Sequence, residues 1–219
     1  MALEETERTT LYVTKAERAT RLADLGLTEE ELRDALSYGI AEASRCTEND
    51  PRIARGWIRW AKTIRALREA LTSKGWTRQE SRNYPVAVDS RGVIAITASS
   101  ADGSTGTEAD PHTTSAKGPA TKHAISKNQL TFFDLDPIFP PDPEAEREPD
   151  QTWLLLYHED DEAGETRLEL SLPVRMEIDG HVSGWRERII LEPIGSQSGP
   201  LTAADEEGEP IDVKVERRA

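Results

Sequence analysis

The residues of this sequence that are best suited to chemistry are six cations along one predicted helix. They are Arg52, Arg55, Arg59, Lys62, Arg65 and Arg68. Their spacing places them largely on the side opposite the apolar stripe of the helix, next to Trp57 and Trp60. Cations beside aromatic rings are suited to contact the phosphates and bases of nucleic acid. The same pattern is typical of a solvated helix face that pairs with acidic residues, and the two tryptophans also fit a core role.

No residues have the spacing of a catalytic or metal site. The histidines at 112, 123, 158 and 181 are scattered, and no pair has the i, i+4 spacing of a helical metal site. Cys46 is the single cysteine, so an internal disulfide is excluded. The run His158–Glu162 lacks the glycine and ligand spacing of a calcium loop. We therefore predict no catalytic residues, no metal and no cofactor, and a binding protein rather than an enzyme.

A short apolar segment, 128–135, lies between two tracts that lack the side chains for a core. Residues 99–122 contain none of Val, Ile, Leu, Met, Phe, Trp, Tyr or Cys. Residues 137–151 carry five prolines and five acids. An apolar island in such surroundings is typical of a linear motif that binds a partner protein.

Within this island, Gln129–Phe133 (QLTFF) resembles the motif by which bacterial proteins bind the replication sliding clamp. The resemblance implies that Gln129 hydrogen-bonds at the mouth of the clamp pocket, while Leu130 and either Phe132 or Phe133 fill it. Phe132 stands where that motif more often has leucine. The alternative is that the segment packs in the core of the protein itself.

Charge is distributed unevenly along the chain. The net charge is −14, but residues 1–100 carry +1, residues 101–219 carry −15, and residues 52–91 carry +7. The overall balance argues against a surface that coats itself with nucleic acid or an anionic membrane. The asymmetry predicts either different partners for the two halves or mutual attraction within the fold. Acids held at phosphate-like spacing would also let the second half mimic DNA.

The sequence lacks a stretch of about 18 apolar residues, as a membrane helix needs, and a basic-then-apolar start, as a signal peptide needs. We therefore expect a cytoplasmic protein with no membrane partner.

Periodicity predicts the elements that position these residues. Helices are predicted at about 10–25 and 29–45, the second opened by a capping box of Thr28 and Glu31. A third helix, 51–74, is predicted to begin with Asp50 as its N-cap. The predicted strands are Tyr84–Val88 paired with 93–96, an apolar strand at 153–157, a half-buried strand with Leu168, Leu170 and Leu172, and a hairpin joining 173–178 to 186–191.

These elements predict an α+β fold in which N-terminal helices pack on an antiparallel sheet of about five strands, with a long low-complexity loop. The predicted organisation is a helical region plus β-hairpin at 1–98, a linker at 99–151, a β-rich region at 152–194 and an acidic flexible tail at 195–219. We expect 1–98 and 152–194 to form one domain.

Five short segments of the sequence together carry a further resemblance. They are 84–88 (YPVAV), 95–106 (AITASSADGSTG), 117–121 (KGPAT), the Gln-Leu motif and 170–191. Together they resemble a family of bacterial prophage and genomic-island proteins of unknown function, which implies a mobile-element or phage-conflict setting. We therefore predict a non-catalytic accessory or regulatory protein that docks on a protein partner such as the sliding clamp. The alternatives are an acidic DNA-mimic inhibitor and an accessory subunit that binds nucleic acid through helix 51–74.

Overall fold

Three helices cover one face of a sheet, as the periodicity of the first half predicts. The computed structural model describes residues 9–81, 83–130 and 148–195. Its helices are α1 (Lys15–Asp24), α2 (Glu29–Ala43), α3 (Ala54–Thr72) and α4 (Pro119–Leu130). The capping box predicted for α2 is confirmed, because the N–H of Glu31 donates to the hydroxyl of Thr28 over 3.3 Å. Buried leucines of α1, α2 and α3 then form one core with the sheet.

The third helix begins later than predicted. Asp50 was expected to cap it, and this is wrong, because the Asp50 carboxylate accepts a hydrogen bond from the N–H of Thr47 at 2.8 Å instead. Ile53 occupies the N-cap position of α3 and makes no side-chain cap bond. Residues 51–53 are therefore exposed and precede the first turn of α3.

The sheet is mixed and larger than five strands. Its strands are β1 (Thr10–Tyr12), β2 (Thr77–Ser81), β3 (Tyr84–Val88), β4 (Ile94–Ser100), β5 (Gln151–Asp160), β6 (Glu165–Met176), β7 (Val182–Ile190) and β8 (Ile194–Gly195). They follow the order β1-β7-β6-β5-β4-β3-β2, and β8 pairs with β6. The connection through α4 makes β4 and β5 parallel, and β1 also runs parallel to β7. The α+β prediction is confirmed, with these two parallel pairs added.

Strand β6 is buried on both faces. Leu168, Leu170 and Leu172 are 0% exposed, as are Glu169 and Ser171 between them. The prediction of a half-buried strand is therefore wrong. The second face is covered by a segment that was interpreted as part of a linker.

That covering segment is 101–118, and backbone hydrogen bonds fix it to the sheet. The N–H of Thr113 donates to the carbonyl of Val182 at 3.1 Å. The indole of Trp185 donates to the carbonyl of Pro111 at 2.9 Å. The interpretation of residues 99–122 as a linker that lacks the side chains for a core is wrong, because Ala101 packs with Trp185 and the threonines at 105, 113 and 121 are buried.

Asn128 fixes α4 to the same face. This fully buried amide donates to the carbonyls of Thr152 and Pro173 over 3.0 and 2.8 Å, and it accepts from the N–H of Thr152 at 2.8 Å. The start of the predicted apolar island is therefore part of the folded body.

Replacing Asp89 by alanine is expected to lower the free energy of unfolding by about 2 kcal/mol, because one buried and one partly buried N–H group lose a charged acceptor. Asp89 accepts from the N–H groups of Val93 and Ile94 at 2.7 and 2.8 Å in the β3–β4 turn. Burial raises the pKa of this carboxyl, but the hydrogen bonds from Ile94, Arg91 and Val93 outweigh burial and hold the pKa below its ordinary value.

The pH dependence of this effect follows from the lowered pKa. The stabilisation is present above the unfolded pKa of Asp89 and is lost as pH falls through the folded pKa. The free energies of unfolding of wild type and Asp89→Ala, measured in urea, should therefore differ at neutral pH and converge as the pH falls below the ordinary pKa of a carboxyl group. Asp161→Ala, at an exposed turn, is the control and should behave like wild type. A difference for Asp89→Ala that does not change with pH would contradict the assignment.

Candidate functional site

A gap opens where β3 and β4 separate. The two strands pair only over 87–88 and 95–96. Continuing this register would place Pro85 opposite Ala98, but proline has no N–H to donate to a ladder. The Ala98 carbonyl instead accepts a hydrogen bond from the indole of Trp60 at 3.1 Å. The indole of Trp60 therefore takes the place of an N–H group of β3 as the donor to Ala98. The space beside the indole, between the two strands, is open.

This gap is part of a cavity of about 920 Å³. Buried residues of β4 and β5, among them Ala98, Leu154 and Tyr157, form its floor. The start of α3 forms one wall, and residues 115–121 with the first turn of α4 form another. A concave site of this size can hold a small ligand or the end of a longer one.

The charged lining of the cavity is entirely cationic. Arg52, Arg59 and Lys117 line it, and no Asp or Glu among the described residues does. Arg59 is 7% exposed and pairs with Glu159, while its Nε has no hydrogen-bond partner within the described part of the chain. Arg52 is exposed and forms no ion pair with any described residue. The cavity is therefore a local positive site on an acidic protein.

Lys117 was not predicted as a site residue. Its Nζ donates to the Ser115 hydroxyl at 3.0 Å, and no described carboxylate lies within ion-pair distance. Burial lowers the pKa of Lys117 to about 8, so the ammonium is still mostly charged at neutral pH. Its backbone N–H donates to the carbonyl of Gly180 at 2.8 Å. Gly180 has a φ of +90°, and a Cβ there would lie 3.3 Å from the Lys117 carbonyl oxygen, so glycine allows this approach.

Two apolar side chains stand at the rim. Trp57 is 62% exposed and Ile53, one helical turn earlier, is 77% exposed. The alternative core role is therefore wrong for Trp57, whereas Trp60 packs against the core and Ile64, Leu67 and Leu71 of the same helix are buried. An exposed tryptophan beside cations can stack on a planar ring.

Most of the predicted basic face is paired within the chain. The pairs are Arg55 and Arg59 with Glu159, Lys62 with Glu42, Arg65 with Glu69, and Arg68 with Glu80. Other ion pairs also join the two halves, such as Arg21 with Glu187 at 2.6 Å. These contacts support the interpretation that the unlike halves attract each other.

The predicted clamp motif lies at the end of the described α4. Gln129 is exposed, and its amide donates to the carbonyl of Val174 at 2.6 Å. Leu130 is the last residue of the helix, while Phe132 and Phe133 lie outside the described residues. Docking on a sliding clamp stays a prediction.

Within residues 9–81, 83–130 and 148–195, no three His, Cys, Asp or Glu side chains are grouped as a metal site would require. None of the described helices has the length and apolar character needed to cross a bilayer. Comparison of the chain with protein-family models, curated proteins and solved structures finds no match. The mobile-element setting and the DNA-mimic role therefore stay predictions.

Proposed function

We propose that this protein is a non-catalytic accessory protein of the cytoplasm that binds single-stranded nucleic acid in the cavity between α3 and α4. The observation that carries the proposal is a cavity lined by three cations and no described carboxylate, with an exposed tryptophan at its rim. Cations attract the phosphates, and an aromatic face stacks on a base of any sequence.

A single strand fits better than a duplex for two reasons. Trp57 can stack only on a base that is free of its neighbours. In addition, a net charge of −14 repels a long polyanion, so the contact must be local. The cavity offers a local contact, because Arg52 and Lys117 are not neutralised by described acids.

Replacing Trp57 by alanine is expected to weaken the binding of a labelled single-stranded oligonucleotide at low salt by about fivefold or more, since a stacked base contributes about 1–3 kcal/mol. Fluorescence anisotropy with DNA and RNA decamers measures this. Tyr38→Ala is the matched control, because Tyr38 is an exposed aromatic residue that does not line the cavity.

Two results would overturn the proposal. Wild-type protein that binds neither DNA nor RNA at low salt would exclude the function. Equal affinity of wild type and Trp57→Ala would place the binding elsewhere on the molecule.

A further inference from the structure

The inner wall of the cavity is formed by residues 117–121, and the first N–H groups of α4 in this wall have no hydrogen-bond acceptor among the described residues. The first intrahelical hydrogen bond at this end runs from the N–H of Lys122 to the carbonyl of Gly118. The N–H groups of Ala120 and Thr121 precede it, and both residues line the cavity. N–H groups at a helix start favour an anion, especially a phosphate.

Two independent features of the same cavity also indicate an anionic ligand. Arg59 is more than nine-tenths buried, and the described residues offer its Nε no hydrogen-bond partner. Lys117 is held beside the helix start by Ser115 without a described carboxylate partner. Tyr84 adds a hydroxyl near Thr121, and burial raises the pKa of this phenol above its ordinary value, so it is a neutral donor.

Buried protein residues bound the cavity beneath these donors. Its floor consists of buried residues of β4 and β5. Tyr84 separates it from a second space of about 280 Å³, which is lined by His123, Lys127 and Glu148. A phosphate that contacts the N–H groups of α4 would therefore lie against this floor, away from the exposed Trp57 at the rim.

We propose that the inner wall is a subsite for a terminal phosphate, so that the ligand is the phosphorylated end of a nucleic-acid strand. This rests on the proposed nucleic-acid binding. A terminal phosphomonoester carries close to two negative charges near pH 7, whereas an internal phosphodiester carries one. It can also present three oxygens to Lys117, Arg59 and the N–H groups of α4.

Gly118 allows the subsite to be tested without disturbing the fold. A Cβ at Gly118 would meet no heavy atom within 4 Å, and its φ lies outside the left-handed region. Gly118→Asp places a carboxylate next to the subsite at a position where aspartate stabilises a helix start. Gly118→Asn has nearly the same shape and no charge, so the pair isolates the electrostatic effect.

The experiment measures the affinity of one decamer in three forms: 5′-phosphorylated, 3′-phosphorylated and unphosphorylated. Wild type and Gly118→Asn should prefer one phosphorylated form by about tenfold or more, as a charged hydrogen-bonded contact gives. Gly118→Asp and Lys117→Met should lose this preference but still bind the unphosphorylated form. Lys122→Met, a change on α4 outside the cavity, is the control.

The outcomes separate the two proposals. Binding of all three decamers with equal affinity by wild type would overturn the terminal-phosphate subsite and leave nucleic-acid binding intact. Binding of none would overturn both, and competition by thymidine monophosphate alone would show a nucleotide site instead of a strand end. A preference that survives equally in Gly118→Asp and Gly118→Asn would also overturn the subsite.

Discussion

Replacing Arg188 by methionine is expected to lower the free energy of unfolding by about 3–5 kcal/mol, because it leaves a buried carboxylate without its cation. Arg188 and Glu169 are both 0% exposed. Two hydrogen bonds of 2.9 and 2.7 Å join the guanidinium to the carboxylate. The cost of removing one partner includes the desolvation of the carboxylate that stays behind.

The ion pair of Arg188 with Glu169 also binds the backbone of segment 101–118, which contains Lys117. Arg188 donates to the carbonyl of Thr107 at 2.9 Å, and Glu169 accepts from the N–H of Gly106 at 2.8 Å. Gly106 has a φ of +73°, which glycine adopts without strain. Urea unfolding followed by circular dichroism measures the loss of stability. We also expect weaker ligand binding, because the cavity wall that carries Lys117 loses its support.

Arg65→Met is the matched control for this prediction. Arg65 pairs with Glu69 at 2.9 Å on the exposed side of α3, and a pair of that kind contributes less than about 0.5 kcal/mol. The double variant Glu169→Leu/Arg188→Met removes both buried charges and should recover part of the loss. A cost for Arg188→Met no larger than that for Arg65→Met would contradict the account.

The parts of the fold that could be predicted are those with local signals. The capping box at Thr28 and Glu31 and the apolar spacing after it depend only on residues within one helix. The β3–β4 hairpin likewise follows from alternation around a short turn. These elements therefore lie close to their predicted positions.

Residues 99–118 show why the rest could not be predicted. Counting large apolar side chains assumes that a segment builds its own core, whereas this one adds small residues to a core formed by others, including Trp185. The buried ion pair of Glu169 with Arg188, which holds this segment, joins two strands. In the sequence the two residues look like separate surface charges. Only pairing of β6 with β7 brings them together.

Some residues of the candidate site could likewise be predicted from the sequence, and others could not. Arg52 and Arg59 were predicted as part of a basic helix face. Lys117 was not, although Gly118 followed by Pro119 is a local signal for the start of a helix. That this helix start faces Trp57 depends on the parallel connection from β4 to β5, which no local pattern indicates.

Replacing Gly39 by alanine is expected to lower the free energy of unfolding by about 1–3 kcal/mol, through overpacking between two helices. A Cβ at Gly39 would lie 2.7 Å from the backbone oxygen of Arg59 and would also collide with the hydroxyl of Thr63. The hydroxyl can rotate away, but the backbone oxygen cannot, so α3 has to shift from α2. Because Arg59 and Trp57 stand on α3, we also expect weaker ligand binding. Thermal unfolding and oligonucleotide anisotropy measure the two effects.

Gly56→Ala is the control that distinguishes a steric clash at Gly39 from the general effect of replacing glycine by alanine in a helix. Gly56 lies in the first turn of α3, and a Cβ there would meet no heavy atom within 4 Å. Alanine at such a position should stabilise the helix by up to about 1 kcal/mol. Thr63→Ala should rescue Gly39→Ala only in part, because it removes the hydroxyl and leaves the Arg59 backbone oxygen. Full rescue would show that the side chain alone limits the approach, and equal tolerance of both glycine substitutions would show that α2 and α3 do not touch at Gly39.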